Sequence, residues 1–194
     1  GHPPGELGEW AIDEDRERVT VASLADRVGE TVRLEGEIVS VRQTSGPTVF
    51  ELRDETGAIE CAAFVEAGVR AYPDVEAEAL VRLDGEVEKR RDELQVETEA
   101  LTVLDDEDRT AVEDRLEAAI VDQARPANTE PLADHDAVAG VSDHLENAAE
   151  TIRRAVMEAR PVVVRHSATA DGYVAGAAIE RAVLPMVREE HTKA

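Results

Sequence analysis

Residues Val32–Phe64 read VRLEGEIVSVRQTSGPTVFELRDETGAIECAAF, and the parity of this stretch decides the fold. Val32, Leu34, Gly36 and Ile38 alternate with Arg33, Glu35 and Glu37, the period of two expected of a half-buried strand. The apolar parity then moves to Val39 and Val41, with Ser40 and Arg42 on the other side. Such a switch needs one extra residue, a β-bulge, and Gly36 offers the local freedom for it. Thr44-Ser45-Gly46-Pro47 predicts a turn. After it, Thr48, Phe50 and Leu52 face inward and alternate with Val49, Glu51 and Arg53. Asp54-Glu55-Thr56-Gly57 predicts a hairpin with glycine available for positive φ. Ile59, Cys61 and Ala63 continue the inward set, leaving Glu60, Ala62 and Phe64 outward.

Moving outward, Gly68 and Pro73 break the strand pattern between Glu66 and Asp74, so a loop or short helix crosses over there. Val81, Leu83, Gly85 and Val87 predict a fourth strand, Lys89-Arg90-Arg91-Asp92-Glu93 a turn, and Leu94, Val96 and Thr98 a fifth strand. Strands that bend around glycine are what a small closed barrel requires. The expectation is a five-stranded all-β barrel over residues 19–104, with strand-like patterning from Val19 onward. Residues 1–18 lack periodicity and are expected to form a mobile tail, with Trp10 docking locally.

The Gly-bearing first strand, the FELRDETG second strand with its turn, and the apolar third strand resemble the nucleic-acid-binding OB-fold of single-strand binding proteins and exonuclease subunits. That resemblance implies a ligand face on the outside of the second and third strands, flanked by the loops between strands one and two and between four and five. In this sequence those places hold Arg42, Gln43 and Thr44, then Arg53 and Phe64, then Lys89, Arg90 and Arg91. Guanidinium groups pair with phosphate and stack on bases, and Phe64 offers an aromatic face. A plainer reading stands beside each of these. Glu86, Glu88, Asp92 and Glu93 surround the basic triplet and can absorb it in surface ion pairs, and Phe64 can simply cover the barrel mouth.

The 194 residues carry 44 acidic against 21 basic side chains, a net charge of −23, and only Lys89 and Lys193 are lysines. The acids are spread through patterned segments, which argues against an acidic disordered tail. This composition resembles that of halophilic archaeal proteins, whose dispersed surface charge maintains solubility. High salt weakens phosphate contacts steeply, so hydrogen bonding and stacking through Gln43, Thr44 and Phe64 have to carry more of any affinity. Cys61 is the sole cysteine, which excludes an intrachain disulfide and suggests a reducing, cytoplasmic setting. No run of about 18 apolar residues predicts a membrane span.

Residues 105–160 are expected to be a helical connector. Acids at 105–108 suit a helix N-terminus, and Val112, Leu116 and Ile120 form one stripe ending before Pro126. A second helix carries Val138, Val141, Leu145, Ala148, Ile152 and Val156, with Glu150 pairing Arg153 and Arg154 on its wet face. Asp134-His135-Asp136 before it suits capping. Residues 161–194 predict the truncated first strand and helix of an α/β domain, because Pro161-Val162-Val163-Val164 reads as a strand buried on both faces.

Within that last segment, VVVRHSATADGYVAGAAIERA resembles the first motif, His-x-Asp-x-Asp-Gly, of DHH-family phosphoesterases, the group of RecJ-like single-strand nucleases. Asp171-Gly172 match the final pair, Ser167 and Thr169 stand where the His and first Asp belong, and His166 is one position early. The resemblance implies that Asp171, with His166, contributes to a Mn²⁺ or Mg²⁺ site in a completed domain; a helix N-cap is the other role open to Asp171. In the chain itself no catalytic residue and no cofactor is expected. The sequence therefore predicts a single-stranded DNA- or RNA-binding module with a β-barrel, a helical connector and an incomplete α/β segment. A fragment of a Mn²⁺-dependent phosphoesterase is the second reading. A third has residues 105–160 dock a protein partner or a second copy.

Overall fold

A computed structural model describes residues 15–131 and 135–191. Trp10, residues 1–14 of the expected tail, and Asp134 lie outside these described residues. The chain divides into two compact units, Gly1–Glu117 and Ala118–Ala194.

In the first unit, strands β1 (Thr31–Gln43), β2 (Thr48–Arg53), β3 (Ala58–Ala63), β4 (Leu80–Arg90) and β5 (Glu93–Val103) close a barrel in the order β1-β2-β3-β5-β4. Neighbours are antiparallel except β3 and β5, which run parallel. The inward set read from the alternation, from Val32 and Leu34 through Phe50, Leu52 and Cys61 to Val87 and Val96, forms one buried core. The predicted bulge is present, but its extra residue is Val39, where the β1–β2 register shifts between Ile38 and Ser40. Val39 is therefore exposed rather than inward, and Val41 resumes the half-buried set. Gly36 serves a different purpose from the one expected. A Cβ there would run into the carbonyl of Arg53, so the residue permits two strands to approach closely.

Two features of this unit differ from the sequence expectation. Residues Val21–Asp26 form a 3₁₀ turn rather than strand, and its Leu24 is fully buried in the barrel core. The first two amides of this turn are satisfied from the β2–β3 hairpin, 33 and 34 residues away: Asp54 Oδ2 accepts from Val21 N at 2.7 Å and Thr56 Oγ1 from Ala22 N at 3.0 Å. Arg33, expected outward, is buried and makes a two-bond pair with buried Asp84, Nε to Oδ1 and Nη2 to Oδ2, both 2.9 Å. Arg16 adds a second cation to Asp84 at 3.4 Å. The crossover between Glu66 and Asp74, expected as a loop or a short helix, is a loop of turns.

Helix α1 (Asp106–Ala124) follows β5, and its Val112 and Leu116 pack with Leu80 and Leu104 as the predicted stripe requires. Glu35 fastens this packing: its carboxylate accepts from Arg82 Nε at 2.8 Å and Arg115 Nη2 at 2.6 Å. Burial alone would raise the Glu35 pKa, but the hydrogen bonds and charges of Arg82 and Arg115 outweigh it and hold the carboxyl below its ordinary 4.5. A carboxylate with a depressed folded-state pKa contributes stability that is complete above its unfolded value and is lost as pH falls through the folded one. Glu35→Gln is thus expected to lower unfolding free energy by about 1.5–3 kcal/mol at neutral pH, the scale of charge-assisted hydrogen bonds. The difference from wild type should shrink below pH 4.5 as Glu35 itself protonates. Denaturant titrations at a series of pH values measure this gap; a gap constant from pH 7 to pH 3 would contradict it.

The second unit contains α2 (Asp136–Ala139), α3 (Ser142–Met157) and α4 (Ala170–His191). The expected single helix through Val138 to Val156 breaks at Gly140 and Val141; Val141 takes φ −118°, ψ 0°, outside the helical region. Its stripe is consequently uneven, with Val156 buried but Val141 and Leu145 exposed. The capping expectation holds for His135, whose Nδ1 accepts from Ala137 N at 3.1 Å. On α3, Arg154 pairs with Glu158 at 2.7 Å, and Arg153 donates to the carbonyls of Ala124 and Gln123. The run Pro161–Val164 is not a strand. Residues 161–167 carry no regular structure and are exposed, since an extended run becomes sheet only beside a neighbour that takes up its amides and carbonyls. The helix predicted after it is present, and Gly176 gives the ring of His166 room against α4. Among the described residues no helix is long and apolar enough to cross a membrane.

Candidate nucleic-acid interface

The register of β1, β2 and β3 fixes what the outer face of the barrel offers. Arg42 lies across from Val49 and Val49 from Ala62; Ser40 lies across from Glu51, Glu51 from Glu60, and Glu60 from Gln95. One further row carries Glu37, Arg53 and Ala58. Arg42 and Arg53 therefore project from the same side of one sheet, as expected, with two directly opposed carboxylates between their rows. Like charges directly opposite disfavour the pairing, and Ser40 Oγ relieves one by donating to Glu51 Oε2 at 3.2 Å. The acidity continues onto β4 and β5, where Glu86 faces Glu97. The hydrogen bond and charge of Glu88 hold the Glu97 carboxyl above its ordinary pKa, with weaker contributions from burial and Glu86 and an opposing one from Arg90.

The expected cations are mostly neutralised by this face. Arg42 pairs with Glu60 at 3.3 Å, Arg53 with Glu37 at 3.7 Å, Lys89 with Asp92 at 3.4 Å and Arg90 with Glu88 at 3.2 Å. Lys89 and Arg90 end β4, so the loop itself is only Arg91-Asp92, both at positive φ, 51° and 67°. Two such residues make the type I′ geometry that matches strand twist. Arg91 is exposed there and has no ion-pair partner among the described residues.

Gln43 and Thr44 brace the β1–β2 loop. Gln43 Nε2 donates to the carbonyls of Thr44 and Gly46, at 3.0 and 3.5 Å, while its Oε1 accepts from Thr48 Oγ1 at 2.6 Å. Thr44 Oγ1 donates to the Pro47 carbonyl at 2.7 Å and accepts from Gly46 N at 3.1 Å. Phe64 lies one residue past the Thr48–Ala63 pair and is 61% exposed. Val65 and Val69 beside it in sequence are also exposed, at 58% and 44%. The loop that carries them is tied to the β1–β2 loop by Gly68 N donating to Gly46 O at 3.2 Å, and to β2 by Ala71 N donating to Thr48 Oγ1 at 2.8 Å. Sequence reasoning found Phe64 but passed over Val65 and Val69, whose signal was an apolar pair in a stretch already assigned to a loop. Cys61 is fully buried, and burial with the Glu60 charge pushes its thiol pKa up, so it is chemically quiet.

The remaining expected residues lie in the second unit. Asp171 is the second residue of α4 and exposed; the capping is done by Thr169, whose Oγ1 accepts from Gly172 N at 3.2 Å. His166 Nδ1 lies 2.9 Å from the Ser167 carbonyl, and its ring meets Tyr173 edge-on at 4.9 Å between centroids. Among the described residues no three His, Cys, Asp or Glu side chains come together as a metal ion would need. His166 and Asp171 alone do not make a Mn²⁺ or Mg²⁺ site.

A five-stranded closed barrel in this order, with β3 parallel to β5, is an OB-fold followed by helices. Residues 32–104 match the tRNA anti-codon family model, described as an OB-fold nucleic acid binding domain. An uncharacterized protein of Methanocaldococcus jannaschii is 35% identical over 166 residues, 85% of this chain and 22% of that protein. An aspartate–tRNA(Asp/Asn) ligase of Acaryochloris marina is 38% identical over 71 residues, 35% of this chain and 12% of the ligase. The chain thus spans less than a quarter of the length of these curated relatives. Among solved structures, an aspartyl-tRNA synthetase from Entamoeba histolytica aligns with a TM-score of 0.42 and 11% identity, covering 75% of this chain and 35% of that one.

Proposed function

We propose that the barrel binds single-stranded nucleic acid and that the chain acts as a binding module rather than a catalyst. The observation that carries this reading is the match of residues 32–104 to a nucleic-acid-binding OB-fold family. The outer face of β2 and β3, with Phe64 at one end and Arg91 at the other, is where such barrels hold a strand. The acid-rich composition fits a protein working at high salt, where binding has to persist without strong phosphate attraction. Fluorescence anisotropy with labelled single-stranded DNA and RNA, each longer than the roughly 4–16 nucleotides one barrel covers, tests it from low to molar KCl. Saturable binding that exceeds binding to duplex is expected; no binding of either strand at any salt would overturn the reading.

A second reading is favoured by the motif at 162–182, in which Asp171 supplies one carboxylate to a Mn²⁺- or Mg²⁺-dependent phosphoesterase of the DHH type. His166 and Asp171 do not complete such a site among the described residues, so further ligands would have to join them. Mn²⁺-dependent hydrolysis of the same oligonucleotides that disappears in Asp171→Asn would make this the stronger reading.

A further inference from the structure

The outer face of the barrel confronts a polyanion with a difficulty. Glu51 and Glu60 stand opposite each other at its centre, and four of the five cations expected to meet phosphate already face carboxylates. A phosphate approaching Arg42 or Arg90 displaces Glu60 or Glu88, so the attraction gained is offset by an ion pair lost and a carboxylate left beside the ligand. Of these five, Arg91 alone has no ion-pair partner among the described residues, at the tip of the β4–β5 turn.

The opposite end of the face differs in kind. Phe64, Val65 and Val69 expose apolar side chains there, on a loop held in place through Gly68 to Gly46 and through Ala71 to Thr48. None of the three is charged, and the loop they sit on is braced, so an occupant meets a platform that need not be ordered on binding. Phosphate gains nothing from such a surface, whereas the π-face of a nucleobase does. Parallel pairing of Glu60 with Gln95 places Phe64 six residues along the strand direction from Glu93, about 20 Å from the β4–β5 turn at ~3.3 Å per residue.

Building on the nucleic-acid reading above, we infer that the barrel grips a single strand by its bases, on the Phe64–Val65–Val69 platform beside the β1–β2 loop, with Arg91 as its only effective phosphate anchor. The mode is tolerant of sequence, since every base has a π-face. It is also tolerant of salt. One neutralised charge on a single strand gives log K against log salt a slope of about −0.7, and five would give about −3.5.

Anisotropy with a labelled oligonucleotide between 0.1 and 1 M KCl separates the two. The platform mode predicts about a 5-fold loss of affinity over that range, against about 3,000-fold if all five cations act. Phe64→Ala is expected to weaken binding by roughly 5- to 150-fold at either salt, the loss of one stacked base, while Phe64→Trp keeps it. Phe64 is exposed, so circular dichroism should show both variants folded. Glu60→Gln frees Arg42 and is expected to steepen the salt slope. A wild-type loss near 3,000-fold, or Phe64→Ala binding like wild type, would overturn the inference while leaving nucleic-acid binding intact. Absence of binding by wild type would instead refute the reading on which it rests.

Discussion

Asp84→Ala is expected to destabilise the barrel by about 3–5 kcal/mol, the loss that follows when one member of a buried ion pair is removed and the other stays. Arg33 and Asp84 are each only 4% exposed, and both guanidinium bonds to the carboxylate are 2.9 Å. The pair joins adjacent positions of β1 and β4, which lie across from each other in the ladder. Removing the carboxylate strips Arg33 of both of its bonds to Asp84 and leaves a buried guanidinium facing no carboxylate across the ladder, although Nη1 still donates to the Arg16 carbonyl at 3.2 Å. Arg33→Ala should be milder, because Asp84 keeps Arg16 at 3.4 Å. A double replacement, Arg33→Met with Asp84→Leu, removes both charges and is expected to recover most of the loss. The effect should also persist in molar KCl, since buried charges are screened far less than exposed ones. Arg42–Glu60, with side chains 60% and 56% exposed, provides the contrast: breaking it should cost about 0–1 kcal/mol, and less as salt rises. Urea unfolding followed by circular dichroism measures all four variants. An Asp84→Ala loss below about 1 kcal/mol would show that the pair is not a structural element.

That pair also marks the limit of what the sequence discloses. Alternation from Val32 to Ala63 was enough to predict the first three strands, the hairpin at Asp54–Gly57 and the bulge, because each depends on neighbours in the chain. Arg33 obeys the same alternation and was placed in solvent; its partner lies 51 residues away, and no local pattern announces that distance. The 3₁₀ turn at Val21–Asp26 is hidden for a related reason, since its first two amides are satisfied by Asp54 and Thr56, far along the chain. At the candidate site, the alternation puts Arg42 and Arg53 on one side of the sheet, as the register has them, and leaves Phe64 exposed. It could not foresee that Glu37 and Glu60 would meet the two arginines, or that Gln43 and Thr44 would be occupied within their own loop. Pro161–Val164 shows the converse. Its composition suits a buried strand, but pairing is a property of two segments, and residues 161–167 form no sheet.

Gly85→Ala is the second large effect. The β4–β5 register shifts between Asp84 and Gly85, so the barrel bends where this residue passes β5. A Cβ at Gly85 would strike the carbonyl oxygen of Glu97, with Val96 Cγ1 at 2.7 Å and the Glu97 carbonyl carbon at 3.0 Å. Two of these obstacles are backbone atoms of the paired strand and cannot rotate away. Overpacking in a core usually costs about 1–3 kcal/mol, and here the strand itself has to move, so about 3 kcal/mol or more is expected. Gly29→Ala separates this collision from simple backbone strain: Gly29 has φ +87° and nothing within 4 Å of the added atom. Its cost should be only the roughly 1–2 kcal/mol of a left-handed conformation. Gly36→Ala should behave like Gly85→Ala, because it meets the Arg53 carbonyl just before the other bend, at Ile38–Ser40. If closure depends on bare backbone at both bends, the two variants lose far more than Gly29→Ala in the same urea titration. Equal losses at all three positions would mean that the strands have slack where they appear tightest.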